Sequence, residues 1–307
     1  MYLRASFIPN TLSTISLKSI YVDFKAITKA GLAISVVFSS IAGFVLGEAD
    51  FATFNWIVLL KLTIGGYCMV GASNAFNQVI EKDLDALMDR TKNRPIPAGR
   101  MQSNVALVIA SLLTIIGIFL LYTINPKTAM FGAISIFLYT SVYTPLKTVT
   151  PLSVFVGAFP GAIPFMLGWV AATNQFGIEA GTLFLIQFFW QFPHFWAIGW
   201  FLYEDYEKAG FFMLPTGKKD SSTALQTILY SVWLLVASLL PCLGYTGKLF
   251  LSPIAAGLVF LLGLWVIFYA IKLYQLRTAK AARTLMLVSV SYITLLQIVY
   301  ITDKFLR

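Results

Sequence analysis

Residues 101–123, MQSNVALVIASLLTIIGIFLLYT, contain no charged side chain. A run of about 20 apolar residues is the length that crosses a bilayer as a helix. Helix is the state such a run must take in lipid, because every backbone amide and carbonyl has to find a partner within the segment. The run ends at Asn125-Pro126, a turn-forming pair that stops a helix and can start the next. Outward from it, apolar runs and their breakers repeat along the chain. They give about nine spans, near 29–47, 56–80, 101–123, 128–146, 151–173, 180–203, 222–245, 251–274 and 283–303. The other breakers are Thr150-Pro151, Asn174 to Gly177, Pro215 to Gly217 and Ser252-Pro253. The expected fold class is therefore all-α, a polytopic bundle of transmembrane helices.

Composition demands the same answer. Hydrophobic residues make up 58% of the 307 and charged residues only 11%. A soluble surface needs about 25% charged residues, so most of this surface has to face lipid. The net charge of +9 then reads as basic loops on the cytoplasmic side, not as a nucleic-acid footprint. With nine spans and an inner N-terminus, the inner segments take most of the Lys and Arg, while the outer ones keep only Lys127, Lys248, Lys304 and Arg307. Lys61 falls within a span near its outer end, where its stem can snorkel. This split predicts a cytoplasmic N-terminus and a C-terminus outside. Residues 1–28 form a cytoplasmic N-terminal segment and 29–307 a single transmembrane domain. Ser6, Ser13, Ser16 and Ser19 raise a mitochondrial transit peptide as a competing reading, against which stand Asp23 and the single early Arg4. Cys68 and Cys242 lie in apolar stretches without a CxxC pattern and read as small buried hydrophobes.

Two inner loops, 81–100 and 204–221, are longer and more polar than the outer connections, so function is expected on that face. In the first, Asn77, Glu81 and Asp85 follow one another at intervals of four. On a helix they line one stripe, about 6 Å apart along the axis, and repel one another unless a cation lies between them. Asp83 points to nearly the opposite side and Asp89 has drifted further round. Oxygen-only ligands suit Mg²⁺, which is usually held by one or two carboxylates plus substrate phosphates. The basic run Arg90, Lys92 and Arg94 follows at once and suits a diphosphate. The plainer alternative is a solvated helix end laced with ion pairs. Asn77 argues against it, since an amide at membrane depth needs a purpose.

The sixth span carries Gln187, Gln191 and His194, which with Asp205 form a polar stripe, although Pro193 can kink it. His194 is the sole histidine; in an aromatic span, proton transfer and iron coordination compete with a structural role. Tyr139, Tyr143 and Lys147 stand four apart on a third element. There, snorkelling of Lys147 competes with a diphosphate contact, and the tyrosine rings are placed to face a developing cation.

At these residues the chain resembles the UbiA superfamily of intramembrane prenyltransferases, and within it the branch that farnesylates haem. The likeness runs from about residue 25 to the last span. It rests on Asn77, Glu81 and Asp85 with the stretch 85–97, on Tyr143-Thr-Pro-Leu-Lys147, on 157–164, and on Trp190-Gln-Phe-Pro-His194-Phe with Asp205-Tyr206 and Met213-Leu-Pro215. The resemblance implies a bundle of about nine helices around a central cavity. It implies transfer of a farnesyl group from farnesyl diphosphate to a vinyl group of haem b, with water addition, giving haem O for terminal oxidase assembly. It also implies Mg²⁺ as cofactor, held with the diphosphate by Asn77, Glu81 and Asp85. Arg94 and Lys147 would meet phosphate charge and His194 would bind haem, with Gln191 and Tyr143 as further binding residues. Asp205 would be a catalytic remnant of the family's second acidic motif, which is otherwise missing. Gln78, where many relatives carry Asp, also points to the haem branch. The implied partners are membrane lipid and haem A synthase or oxidase assembly proteins, in a bacterial cytoplasmic membrane. The alternatives are a prenyltransferase acting on a quinone or chlorophyll precursor, and an ion-coupled transporter. Against the transporter, the carboxylates cluster at one face and not near the midplane.

Overall fold

The computed structural model describes residues 17–50, 52 and 54–307. Arg4, Ser6, Ser13 and Ser16 of the N-terminal segment lie outside the described residues. Helix α1 spans Leu17–Ile27, α2 Ala30–Gly47, α3 Trp56–Ile80, α4 Lys82–Asp85 and α5 Ser103–Tyr122. Helix α6, Pro126–Phe137, runs through a π-helical segment, Leu138–Tyr143, into the short α7, Thr144–Leu146. Then come α8 Leu152–Thr173, α9 Ile178–Phe201, α10 Tyr203–Lys208, α11 Ser221–Leu239, α12 Pro253–Leu276 and α13 Ala279–Leu306. Among the described residues there is no strand.

Eight of these runs are long and apolar enough to cross a membrane. The ninth expected span, α9, is 24 residues long but less apolar, because Gln187, Gln191 and His194 interrupt it. The breakers act as helix starts. Asn125 accepts the Thr128 amide at 2.8 Å with Pro126 behind it, and Ser252 caps α12 in the same way before Pro253.

Helix α8 is the most enclosed, with 14 of its 22 residues buried, and it packs on α2 along one side and α9 along another. Gly168 allows the first contact: a Cβ there would run into the backbone of Ser40 and Phe44 on α2. Pro164, inside α8, cannot donate to the carbonyl of Pro160, and the Ser135 hydroxyl of α6 donates to that freed carbonyl instead, at 3.2 Å. Ile115 and Phe119 of α5 and Ile254 and Leu261 of α12 stay exposed, as lipid-facing side chains do. The helix ends sort into two faces. One collects residues 29, 81–100, 147, 203–220 and 277–283, rich in Lys and Arg; the other collects 47–50, 54–55, 123–126, 174–178 and 244–252.

Candidate active site

The acidic stripe forms at the basic end. Helix α3 stops at Ile80, yet the i to i+4 rungs carry on across the break: Glu81 N donates to Asn77 O at 2.9 Å and Asp85 N to Glu81 O at 2.7 Å. Asn77, Glu81 and Asp85 therefore keep one face, and all three are buried, while Asp83 and Asp89 are exposed. Gln78 faces elsewhere, donating to the carbonyls of Ala26 and Ile27 at the end of α1. A carboxylate at that position has no proton to give those carbonyls.

Each member of the stripe meets a basic or polar partner from another element. Arg94 Nη1 donates to Asp85 Oδ2 at 2.6 Å and Lys147 Nζ to Glu81 Oε1 at 2.8 Å. Asn77 Nδ2 donates to Thr144 Oγ1 at 3.2 Å, and its Oδ1 lies 3.5 Å from Lys29 Nζ. The π-helical turn sets Thr144 and Lys147 in place; such bulges recur at functional sites. Tyr143 is buried, with Lys147 Nζ 4.7 Å from its ring centre. The Phe211 ring lies on the same ammonium at 5.5 Å. The tyrosine thus faces a resident cation.

Electrostatically the cluster is unfinished. Burial raises the Asp85 carboxyl above its ordinary value, and Arg94 pulls against that. Its Oδ1 is buried with no hydrogen-bond partner, a state that is costly unless something positive arrives. Among the described residues, no three His, Cys, Asp or Glu side chains form a complete metal cage. Two carboxylates and an amide are what a hard cation shared with a phosphate needs.

Lys29 is the residue that sequence reasoning missed. It sits between α1 and α2 with φ 47 and ψ 56, a left-handed conformation uncommon for a side-chain-bearing residue. That turn lets the ammonium reach Asn77. A lysine at the start of a span reads as topology, and its one distinguishing sign was its position at the edge of the apolar run.

The other predicted residues are placed elsewhere. Of the basic run, only Arg94 enters the cluster; Lys92 pairs with Asp89 at 2.6 Å and Arg90 lies over the Tyr206 ring. Asp205 accepts the amides of Asp89 at 2.7 Å and Arg90 at 3.2 Å, tying the two basic-end loops together. Gln191 Nε2 donates to the carbonyls of Ala158 and Gln187, fastening α9 to α8. His194 is stacked on Trp190, and its Nδ1 lies 2.9 Å from Ser289 Oγ on α13. Ser289 spends its only proton on Met286 O at 2.7 Å. It must therefore accept from His194 Nδ1–H, which leaves Nε2 as the ring's free base.

Below the charged cluster, a narrow, mostly apolar cleft runs between α2, α3, α6 and α8. Ser73 lies one turn below Asn77, and Ser135 one turn below Tyr139; both line it. The buried charged cluster thus stands one helical turn above the nearest residues of an apolar cleft.

Known proteins resemble this chain in sequence and in fold. The model of the UbiA prenyltransferase family covers residues 36–294. A protoheme IX farnesyltransferase of Flavobacterium johnsoniae is 78% identical over 96% of this chain and 98% of its own. One of Cytophaga hutchinsonii is 40% identical over 91% and 96%. Among solved structures, digeranylgeranylglyceryl phosphate synthase superposes with a TM-score of 0.77 at 15% identity, covering 94% of this chain and 99% of that one. A UbiA homologue of Archaeoglobus fulgidus bound to GPP and Mg²⁺ gives 0.66 at 13%, covering 91% and 99%. The fold, the family model and the near-complete coverage agree: the chain belongs to the UbiA prenyltransferase family.

Proposed function

We propose that this prenyltransferase moves the farnesyl group of farnesyl diphosphate onto a vinyl group of haem b, with water completing the product. The observation that carries the reading is Asp85, a buried carboxylate with one oxygen unpartnered, beside Arg94, Lys147 and Lys29 one helical turn above an apolar cleft. Arg94 and Lys147 balance the two carboxylates, and Lys29, pushed down to about 7 by burial and by those two cations, would regain its full charge beside a bound anion. The names of the curated relatives support haem and farnesyl as substrates.

Asn77, Glu81 and Asp85 would hold Mg²⁺, whose charge, when bound, supplies stabilisation to the departing diphosphate. The UbiA homologue bound to GPP and Mg²⁺ supports that assignment. Arg94 and Lys147 meet the phosphate oxygens, and each is already oriented by its carboxylate before substrate arrives. The allylic C–O bond breaks with its electron pair leaving on the diphosphate. Tyr143 and Tyr139, whose rings pack 5.3 Å apart, would face the resulting cation. The haem vinyl carbon attacks that cation. Water then adds to the new cationic centre and loses a proton, leaving a hydroxyethylfarnesyl substituent. The apolar walls keep bulk water from the first cation. His194, with Nε2 free, is assigned to haem, as an iron ligand or as a hydrogen-bond acceptor. Asp205 acts by holding the 86–94 loop through its two amides.

The lopsided Lys and Arg distribution supports a bacterial cytoplasmic membrane with the basic end inside, and the product would pass to haem A synthase or oxidase assembly proteins. Incubating purified protein with haem b, farnesyl diphosphate and Mg²⁺ should yield farnesylated hydroxyethyl haem by chromatography and mass. No haem product, but prenylation of a quinone precursor, would overturn the assignment. His194→Ala should weaken haem binding, read from the absorption spectrum, more than diphosphate binding.

A further inference from the structure

The cleft begins one helical turn beyond the charged cluster, on the same helices. On α3, Asn77 is followed one turn down by Ser73, then by Met69 and Gly66, and the last three line the cleft. On the α6 run, Tyr143 and Tyr139 lead down to Ser135 and Gly132. From Asn77 to Gly66 is 11 residues, about 16 Å of helix. A chain of three isoprene units, drawn out, is of similar length.

At that depth the cleft is stopped. Leu121 of α5 is fully buried and lines it together with Met69. Both fit only because glycines face them. A Cβ on Gly132 would stand 2.7 Å from Leu121 Cδ1, and one on Gly117 would stand 2.7 Å from Met69 Sδ. Two large side chains are thus seated in notches on neighbouring helices, directly across the far end of the apolar path.

We propose that Leu121, backed by Met69, is the floor of the prenyl channel and sets the longest chain the enzyme accepts. The proposal rests on the prenyl-transfer reading above. It makes Leu121 a specificity residue, about three helical turns from the groups that handle the diphosphate.

The test measures kcat/KM for geranyl, farnesyl and geranylgeranyl diphosphates with haem b, using purified full-length protein. Wild type should prefer farnesyl over geranylgeranyl. Leu121→Ala should raise the geranylgeranyl-to-farnesyl ratio by about tenfold, the scale of a resized apolar pocket. Gly132→Ala should act in reverse, pushing Leu121 into the cleft and shifting preference towards geranyl. Should Leu121→Ala fail to fold, Leu121→Val must move the same ratio in the same direction by less. A wild type equally active on geranylgeranyl, or variants whose ratios all stay within about twofold of wild type, overturns the floor while leaving prenyl transfer to haem intact. A wild type inactive on haem with every diphosphate overturns the underlying reading, and the floor with it.

Discussion

Both ends of the bundle bring charges together, but only one completes them. At the end away from the buried cluster, Asp303 accepts the Ser252 amide at 3.0 Å, the Ser252 hydroxyl, and the Arg307 guanidinium at 3.3 Å. Beside it, Lys304 donates to the last carbonyls of α2, at 3.0 Å to Val45 and 2.9 Å to Leu46, and also to Glu48 O. Those groups have partners within the protein and cap helix ends that would otherwise be open. At the basic end, Asp85 keeps an oxygen with none, and Lys29 is pushed down to about 7 by burial and by Arg94 and Lys147. The lesson is that a closed ionic cluster fastens helices, whereas an open one waits for a ligand.

The sharpest break of that contrast is at Asp85. Asp85→Asn should lower the rate of farnesyl transfer by on the order of 100-fold or more, the scale of losing one fixed charge that stabilises a transition state. It should also weaken the Mg²⁺ dependence of the rate. Asp83→Asn, exposed on the other side of the helix, should leave the rate near wild type. Equal loss from the two would mean that burial and facing do not matter.

Lys29→Met probes the missed cation. It should raise KM for farnesyl diphosphate about tenfold and change kcat less, since one phosphate contact at roughly 1.4 kcal/mol is lost from binding. Steady-state kinetics would show this, and an unchanged KM would return Lys29 to a purely topological role. At the closed end, Asp303→Ala should do the opposite. Leaving the Ser252 amide and Arg307 without their acceptor costs about 1–3 kcal/mol of stability, visible as a lower melting temperature in detergent, with KM unchanged. A fall in activity matching that of Asp85→Asn would erase the distinction between the two ends.

How much of this was legible follows from what lipid and helix geometry impose. The spans were readable because a backbone in hydrocarbon has few options, and α9 was singled out by the same Gln and His residues that lower its hydropathy. The stripe of Asn77, Glu81 and Asp85 was readable because the i to i+4 rungs survive the end of α3. What failed to show lies where no period runs. Which of Arg90, Lys92 and Arg94 turns inward depends on the irregular loop 86–100. Asp205 meets backbone amides more than 100 residues away, and its side chain alone suggested a ligand. Lys29 depends on one left-handed residue. The seating of Leu121 depends on a glycine of another helix, which is a matter of packing and leaves no local signature.

The smallest effect belongs to the clasp that joins the two basic-end loops. Asp89 is exposed, and hydrogen bonds from Lys208 at 2.5 Å and Lys92 at 2.6 Å hold its carboxyl down at about 2, against an ordinary value of 3.8. Folded protein therefore keeps Asp89 charged in a range where the unfolded chain takes up a proton. The stabilisation is complete above the ordinary value and drains away as pH falls from about 4 to about 2. Salt should screen it as well, because both partners stand in solvent. Asp89→Asn should lower the melting temperature slightly at pH 5 and low salt, and the gap from wild type should close at pH 2 or in high salt. Because the pair lies outside the buried cluster, the variant should keep its KM for farnesyl diphosphate. A gap that persists at pH 2 would mean that Asp89 stabilises the loops through hydrogen bonding that does not need its charge.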